Sequence, residues 1–301
     1  MAKESVIEAT SDPVARCIRH LRELAPGGHP NPELLAAARE EATTGQFSEE
    51  ARRELDLLMT APDPRTGLSA LFVDRLGGML IPEVAALDMD QGDRKLHKDN
   101  LAHSITVCAQ APPRLRLRWA CLLHDVGKAP TRRVVGTKVT FYNHESVGRR
   151  LTKDLLTRLG YPRKFVTQVA CLVQLSGRTH GFDDTWTDAA LRRVAVDAGG
   201  LLDDLLDLSR ADCTSRRPGR REEVLAHVDA VAARLADVVQ RDAQRSIRPA
   251  LNGDEIMELL RLDPGPEVGK AYRYLLDFAR NGVALEPTEA RRKLSEWWAD
   301  Q

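Results

Sequence analysis

The chain is poor in aromatic side chains, at 5% of its 301 residues, and it has no net charge, with 44 Lys and Arg against 44 Asp and Glu. Few aromatics leave little material for platforms on which bases stack. The charge balance argues against a protein that holds nucleic acid by bulk attraction, although it leaves a local basic face open. Lysine is scarce as well: nine Lys stand beside 35 Arg. Guanidinium suits forked contacts to phosphate and carboxylate, but the same bias follows from a GC-rich genome. The five cysteines, Cys17, Cys108, Cys121, Cys171 and Cys213, contain no CxxC and no zinc-like spacing. They read as small core residues in a reducing compartment. No apolar run approaches the roughly 18 residues that would span a bilayer. Met1 to Ser5 lead into no apolar stretch either, so a cytoplasmic location without a membrane partner is expected.

What is present is helical periodicity. Three- and four-residue apolar spacing marks Pro13–Leu24, Pro32–Thr43, Ser48–Met59, Ser69–Leu76, Asn100–Ala109, Leu115–Leu123, His144–Leu159 and Arg163–Leu175. It returns at Thr187–Val196, Leu201–Ser209, Arg221–Val239, Gly253–Leu262, Pro266–Arg280 and Pro287–Ala299. Asn31-Pro32 and Ser48-Glu49-Glu50 read as helix starts. Only Arg133–Tyr142 alternates, around Gly136-Thr137, as a short hairpin would. The length admits one large or two modest domains. The expected fold is all-α with one small β-hairpin. Its divisions are a neck-like helical region at 1–92, a core at 93–217 and a helical tail at 218–301, the tail either closing over substrate or forming a homodimer contact.

The most informative run is Leu122-Leu-His124-Asp125-Val-Gly127-Lys128. An apolar helix delivers an imidazole and a carboxylate side by side, a Gly follows, and then a cation. A carboxylate at the buried end of an apolar helix is costly unless it is paired or bound to metal. Asp212, in Leu208-Ser-Arg-Ala-Asp-Cys, repeats that situation, and His103 lies on a helix whose apolar positions, Leu101, Ile105 and Val107, are expected to face a core. A lone histidine there is more often a hydrogen-bonded core residue than a ligand. Together, His103, His124, Asp125 and Asp212 supply two nitrogens and two oxygens for one divalent cation, be it Mn, Ni, Co, Fe, Zn or Mg. Lys128, Arg132, Arg178 and His180 are candidate phosphate contacts. His144 follows Asn143, a candidate N-cap, and reads as a fifth ligand, a proton donor or a residue of the capping turn.

The order His103, His124-Asp125, His144, Asp212 resembles the HD superfamily of metal-dependent phosphohydrolases. Several segments are similar to the C-terminal, HD-containing body of bacterial CCA-adding tRNA nucleotidyltransferases: Lys98-Asp-Asn-Leu-Ala-His103-Ser, Lys128-Ala-Pro-Thr-Arg132, Phe141-Tyr-Asn-His144-Glu-Ser-Val-Gly148, Trp186-Thr-Asp-Ala-Ala-Leu-Arg-Arg, Arg210-Ala-Asp212-Cys-Thr and Pro264-Gly-Pro-Glu-Val-Gly269. The similarity runs from about Ala61 to the C-terminus. Two departures shape the expectation. No nucleotidyltransferase head is recognisable, so CCA addition is not expected. Ser176 stands where two-metal members carry a further His, so one cation is expected.

The resemblance implies hydrolysis of a phosphomonoester or a cyclic phosphate of a nucleotide or a nucleotide-like small molecule. Asp125, Lys128, His144 and His180 form the expected catalytic set: Lys128 offsets phosphoryl charge, and His144 or His180 protonates the leaving oxygen. Lys128, Arg132, Arg178 and His180 are the expected substrate contacts. The competing expectation is an RNA-binding body without nucleotidyltransferase activity, suggested by Arg149-Arg150, Arg192-Arg193, Arg216-Arg217 and Arg220-Arg221, although such pairs are usually solvated faces. Zero net charge makes RNA the less favoured partner.

Overall fold

The structure, a computed structural model, describes residues 11–89, 99–136, 138–179, 186–215 and 217–301. His97, His180 and the polar join at 91–93 lie outside them. The chain packs as two compact units, Met1–Ala232 and Ala233–Gln301.

The first unit holds α1 (Pro13–Arg22), α2 (Pro32–Ala42), α3 (Glu49–Thr60), α4 (Arg65–Val73), α5 (Leu76–Leu80), α6 (Pro82–Ala85), α7 (Asn100–Gln110), α8 (Leu115–Leu123) and α9 (Lys128–Thr131). A two-stranded antiparallel hairpin follows, β1 (Arg133–Val135) and β2 (Lys138–Thr140), with Val134 opposite Val139. Then come α10 (His144–Arg158), α11 (Arg163–Thr179), α12 (Asp188–Ala198), α13 (Leu202–Ala211) and α14 (Arg220–Ser246), which crosses the boundary between the units. The fold is all-α apart from that hairpin.

Local chemistry accounts for several helix starts. The Asp12 carboxylate accepts from the Val14 and Ala15 amides, Asn31 from Glu33 and Leu34, and Ser48 from Ala51. Pro13 and Pro32 occupy the first helical position, where the missing N–H costs nothing. Asp99 does the same service for α7, accepting from Ala102 at 2.9 Å. Asn143 is a correction. It precedes α10 in the left-handed region, φ 60°, and its side chain makes no cap hydrogen bond. A capping side chain needs extended backbone to reach forward, so the turn is closed instead by the His144 ring, whose Nδ1 lies 2.9 Å from the Phe141 carbonyl. Helix α4 also starts at Arg65, a turn earlier than the apolar spacing predicts, while α5 and α6 are too short for periodicity to reveal.

Helix α8 is the centre of the first unit. Seven consecutive residues, Leu117–Leu123, are buried, and α3, α7, α11 and α13 pack around it. A helix apolar on every side has no solvent face to offer. Its one charged residue within that run, Arg118, is 2% exposed. The guanidinium donates from Nε and Nη2 to the Ala111 carbonyl at 3.1 Å, and from Nη1 to Met59 at 2.7 Å and to Ala61. Those carbonyls end α7 and α3, where helix C-termini carry partial negative charge. Beside it, Trp119 Nε1 donates to Tyr161 Oη at 3.1 Å, and that hydroxyl donates to Asp56.

The second unit contains the end of α14 with α15 (Gly253–Leu260), α16 (Pro266–Arg280) and α17 (Pro287–Ala299). A capping box between Asn252 and Glu255 starts α15. Leu251, Ile256, Ala271, Leu275, Ala290 and Leu294 form its core, and Tyr274 stacks on Trp297 with ring centroids 4.5 Å apart. Among the described residues no helix is long and apolar enough to cross a membrane.

Candidate metal centre

Because α8 is buried all round, whatever follows it emerges inside the protein. His124 and Asp125 are 2% and 3% exposed. The His124 Nδ1 lies 2.8 Å from the Cys121 carbonyl. A carbonyl can only accept, so Nδ1 carries a proton and Nε2 is the atom turned inward, able to lend its lone pair to a cation once its own proton is lost. That Nε2 is 3.3 Å from Asp125 Oδ2 and 3.6 Å from Asp212 Oδ1. Helix α7 brings His103, whose Nε2 is 2.9 Å from Asp212 Oδ1 and 3.9 Å from Asp125 Oδ2. Its other nitrogen contacts Thr214 Oγ at 3.1 Å, and the two imidazoles meet edge to face with centroids 5.3 Å apart. The last turn of α13 delivers Asp212. The four residues expected from sequence thus converge from three helices.

The donor set fits a divalent cation. The ligand atoms of His103, His124 and Asp125 lie within 4.8 Å of one another, and two imidazole nitrogens alternate with two carboxylates, a mixture suited to borderline and hard cations. The outer hydrogen bonds to Cys121 and Thr214 orient the rings, as supporting shells of metal ligands do. Electrostatics reflect the same crowding. Burial opposes charge on His124, yet the Asp125 and Asp212 carboxylates hold its pKa up at about 9. Burial likewise opposes charge on Asp125, but His124 and Lys128 hold its carboxyl far below the usual range.

Other expected residues fall into three groups. Lys128 reaches back to Asp125 Oδ2 at 2.7 Å, and its ammonium lies 5.8 Å from the centre of the Phe141 ring. His144 directs Nε2 to within 3.9 Å of Asp125 Oδ1, placing a fifth imidazole-or-carboxylate group at the edge of the cluster. Arg132, four residues beyond Lys128, keeps a buried Nε without a hydrogen-bond partner among the described residues. Arg178 instead pairs with Asp197, tying α11 to α12. Ser176 is buried and donates to the Val173 carbonyl at 2.8 Å. His180 lies outside the described residues.

The structural roles of two residues were not legible in the sequence. Thr214 follows Asp212 by two residues and nothing in its spacing announces a partner for His103. Gly127 is legible only in three dimensions: a Cβ there would collide with the His144 carbonyl and come within 2.7 Å of the Gly148 amide. Glycine is what lets α10, and His144 with it, press against the turn that follows His124 and Asp125.

Buried imidazoles and carboxylates at the ends of three packed helices define a class. Residues 100–242 match the family model described as HD domain, and HD domains form a superfamily of metal-dependent hydrolases. The relatives narrow the resemblance to a particular body. The chain is 34% identical over 259 residues to the A-adding tRNA nucleotidyltransferase of Deinococcus radiodurans, with 83% of this chain and 58% of that protein aligned. It is 35% identical over 263 residues to the CC-adding tRNA nucleotidyltransferase of Thermus thermophilus, covering 83% and 56%. It is 28% identical over 257 residues to the multifunctional CCA protein of Pseudomonas fluorescens, covering 80% and 59%. The aligned part thus spans under three fifths of each of these relatives.

Proposed function

We propose that this chain is a metal-dependent phosphohydrolase acting on a nucleotide or a nucleotide-like phosphate ester, by release of a phosphomonoester or opening of a cyclic phosphate. The observation that carries the reading is the convergence of His103, His124, Asp125 and Asp212, with Lys128 and His144 at its edge. We assign those four as ligands of one divalent cation, the buried hydroxyl of Ser176 standing in place of a further imidazole. When bound, the cation supplies Lewis acidity toward a phosphoryl oxygen and acidifies a water. The chain's own groups do the rest. Lys128 and Arg132 offset charge on the non-bridging oxygens. His144, whose Nδ1 is held by the Phe141 carbonyl, presents Nε2 as the proton donor to the leaving oxygen. Asp125 orients Lys128 through the 2.7 Å contact and so fixes where that positive charge stands. Arg178 and His180 complete the proposed substrate contacts, and residues 93–217 are the proposed core between a neck-like region and a tail.

The test is turnover of a panel of nucleoside mono-, di-, tri- and cyclic phosphates with Mn, Ni, Co or Mg added singly, beside elemental analysis of the purified protein. Phosphate release that disappears in Asp125→Ala is expected. No turnover with any metal, together with no bound metal, would refute the reading. A second reading, an RNA-binding body without nucleotidyltransferase activity, is favoured by one observation: the relatives are named for action on tRNA. A gel shift with tRNA at moderate salt, read beside the turnover panel, separates the two: stable tRNA binding without phosphate release favours the second reading.

A further inference from the structure

A cleft of about 640 Å³ opens beside the metal centre in the first unit. One wall is a single stripe of α7: Asp99, Ala102, His103, Thr106 and Gln110, which share a helix face because they recur at three- and four-residue steps. Cys213, Thr214 and Ser215, just after α13, form another wall, and Arg65 at the start of α4 and Arg221 at the start of α14 complete it. His103 therefore has two exposures. Its Nε2 faces Asp212 and Asp125, while its ring lines the cleft.

The polar groups in that wall are not equally available. Thr106 Oγ already donates to the Ala102 carbonyl, the Gln110 amide donates to Ala211, and Thr214 Oγ meets His103. The Asp99 carboxylate is engaged by the Ala102 amide. Arg65 and Arg221 are exposed, and among the described residues neither guanidinium makes an ion pair or hydrogen bond. Some cations of this unit are matched instead, as Arg114 and Arg116 are by Asp204 and Arg158 by Glu83. Two unmatched guanidiniums facing one carboxylate already committed to a helix cap make the cleft a receptor for an anion. Its volume exceeds what one phosphate fills and lies in the range of sites that take small organic ligands.

We propose that this cleft receives a second phosphate of the substrate, held by Arg65 and Arg221, while the reacting phosphate lies at the His103, His124, Asp125 and Asp212 centre. The proposal rests on the phosphohydrolase reading. It adds that the preferred substrate is a nucleoside unit phosphorylated at two positions, either a free bisphosphate or the terminal nucleotide of an RNA, whose inner phosphodiester supplies the second charge. The ribose then spans the His103 wall between the two anionic subsites.

The experiment compares adenosine 3′-phosphate, adenosine 3′,5′-bisphosphate and a dinucleotide ending in a 3′-phosphate, using the intact protein loaded with the metal that gives best turnover. Wild type is set beside Arg65→Ala, Arg221→Ala, the double variant and Arg65→Lys. Charge-assisted contacts are strong enough that the double variant is expected to raise KM for a doubly phosphorylated substrate by about tenfold more than for the monophosphate, with kcat far less affected and Arg65→Lys recovering part of the loss. A selective loss with the free bisphosphate alone identifies a small-molecule substrate; a selective loss with the dinucleotide identifies an RNA end. Equal effects on all three substrates, or none, overturn the cleft assignment while leaving the hydrolase reading intact. If no substrate turns over, the hydrolase reading fails, and calorimetric titration with the bisphosphate still decides the cleft. Binding weakened about tenfold in the double variant supports it, and unchanged or absent binding overturns it.

Discussion

Arg118→Ala should unfold the first unit at a distinctly lower temperature without touching any candidate ligand. The guanidinium makes four hydrogen bonds to three carbonyls, those of Ala111, Met59 and Ala61. A hydrogen bond from a charged donor is worth about 1.5–3 kcal/mol, and a buried carbonyl left without a partner costs about 1–3 kcal/mol. Against that stands the desolvation of a buried cation, several kcal/mol, which the variant no longer bears. The expected net loss is about 3–5 kcal/mol, the scale seen when one side of a buried charged arrangement is removed. For a unit of this size each kcal/mol moves the midpoint by about 2–4 °C, so calorimetry should find the transition of the first unit roughly 6–20 °C lower. Arg118→Met separates polar from packing effects. It refills most of the volume but satisfies none of the carbonyls, so most of the loss should persist. An Arg118→Ala protein within about 1 kcal/mol of wild type, or full recovery by methionine, would refute the account of α8 as pinned through the C-terminal ends of α3 and α7.

The other expectations concern the centre and its surroundings. Gly127→Ala should destabilise by about 1–3 kcal/mol, as overpacking does, and lower metal-dependent turnover by displacing His144; wild-type urea midpoints and rates would contradict the close approach. In metal-free protein, the raised pKa of His124 contributes stability that is complete below its ordinary value of about 6.5 and is lost as pH rises through about 9. The depressed Asp125 carboxyl contributes stability present above about 3.9, lost as pH falls through its lower folded value. Urea midpoints at pH 6, 7.5 and 9 should therefore fall, and His124→Asn should flatten that slope; an equal slope in the variant contradicts the assignment. Iodoacetamide at pH 8 should leave Cys17, Cys108 and Cys121 unmodified in the native protein, as read by mass spectrometry. All three are buried, and burial pushes the Cys17 and Cys108 thiols up to about 11 and about 12. Rapid labelling of any of them would place it outside the core.

Why some of this was legible in the sequence and some not has a physical basis. Helices with strong amphipathic spacing and a capping residue, such as Glu49–Thr60 after Ser48, show both signals in a contiguous window, so their limits follow closely. Leu76–Leu80 and Pro82–Ala85 are barely longer than a turn, and no period can be read from them. Asn143 misled because residue type specifies capping only when the backbone is extended, and here it is left-handed. The centre was legible because burying His124 and Asp125 at the end of an apolar helix is costly without partners, a cost visible in one dimension. Thr214, Gly127 and the pair Arg65 and Arg221 were not, since their importance lies in what approaches them from distant segments. Arg178 had the right chemistry for phosphate, but only the fold could reveal Asp197 beside it.

The burial of α8 on every side bears on motion as well as on stability. Amides of a helix enclosed by four others have no local opening route and exchange with solvent only when the whole unit unfolds. His124 and Asp125 leave the end of that helix, so the centre inherits its slow breathing, and hydrogen exchange there should be among the slowest in the chain. Beyond the centre, the described part of the hairpin carries Val134 and Val135 exposed to solvent, and exchange is expected to be faster there. A slowly exchanging floor beneath a faster-exchanging hairpin is the pattern hydrogen exchange should find.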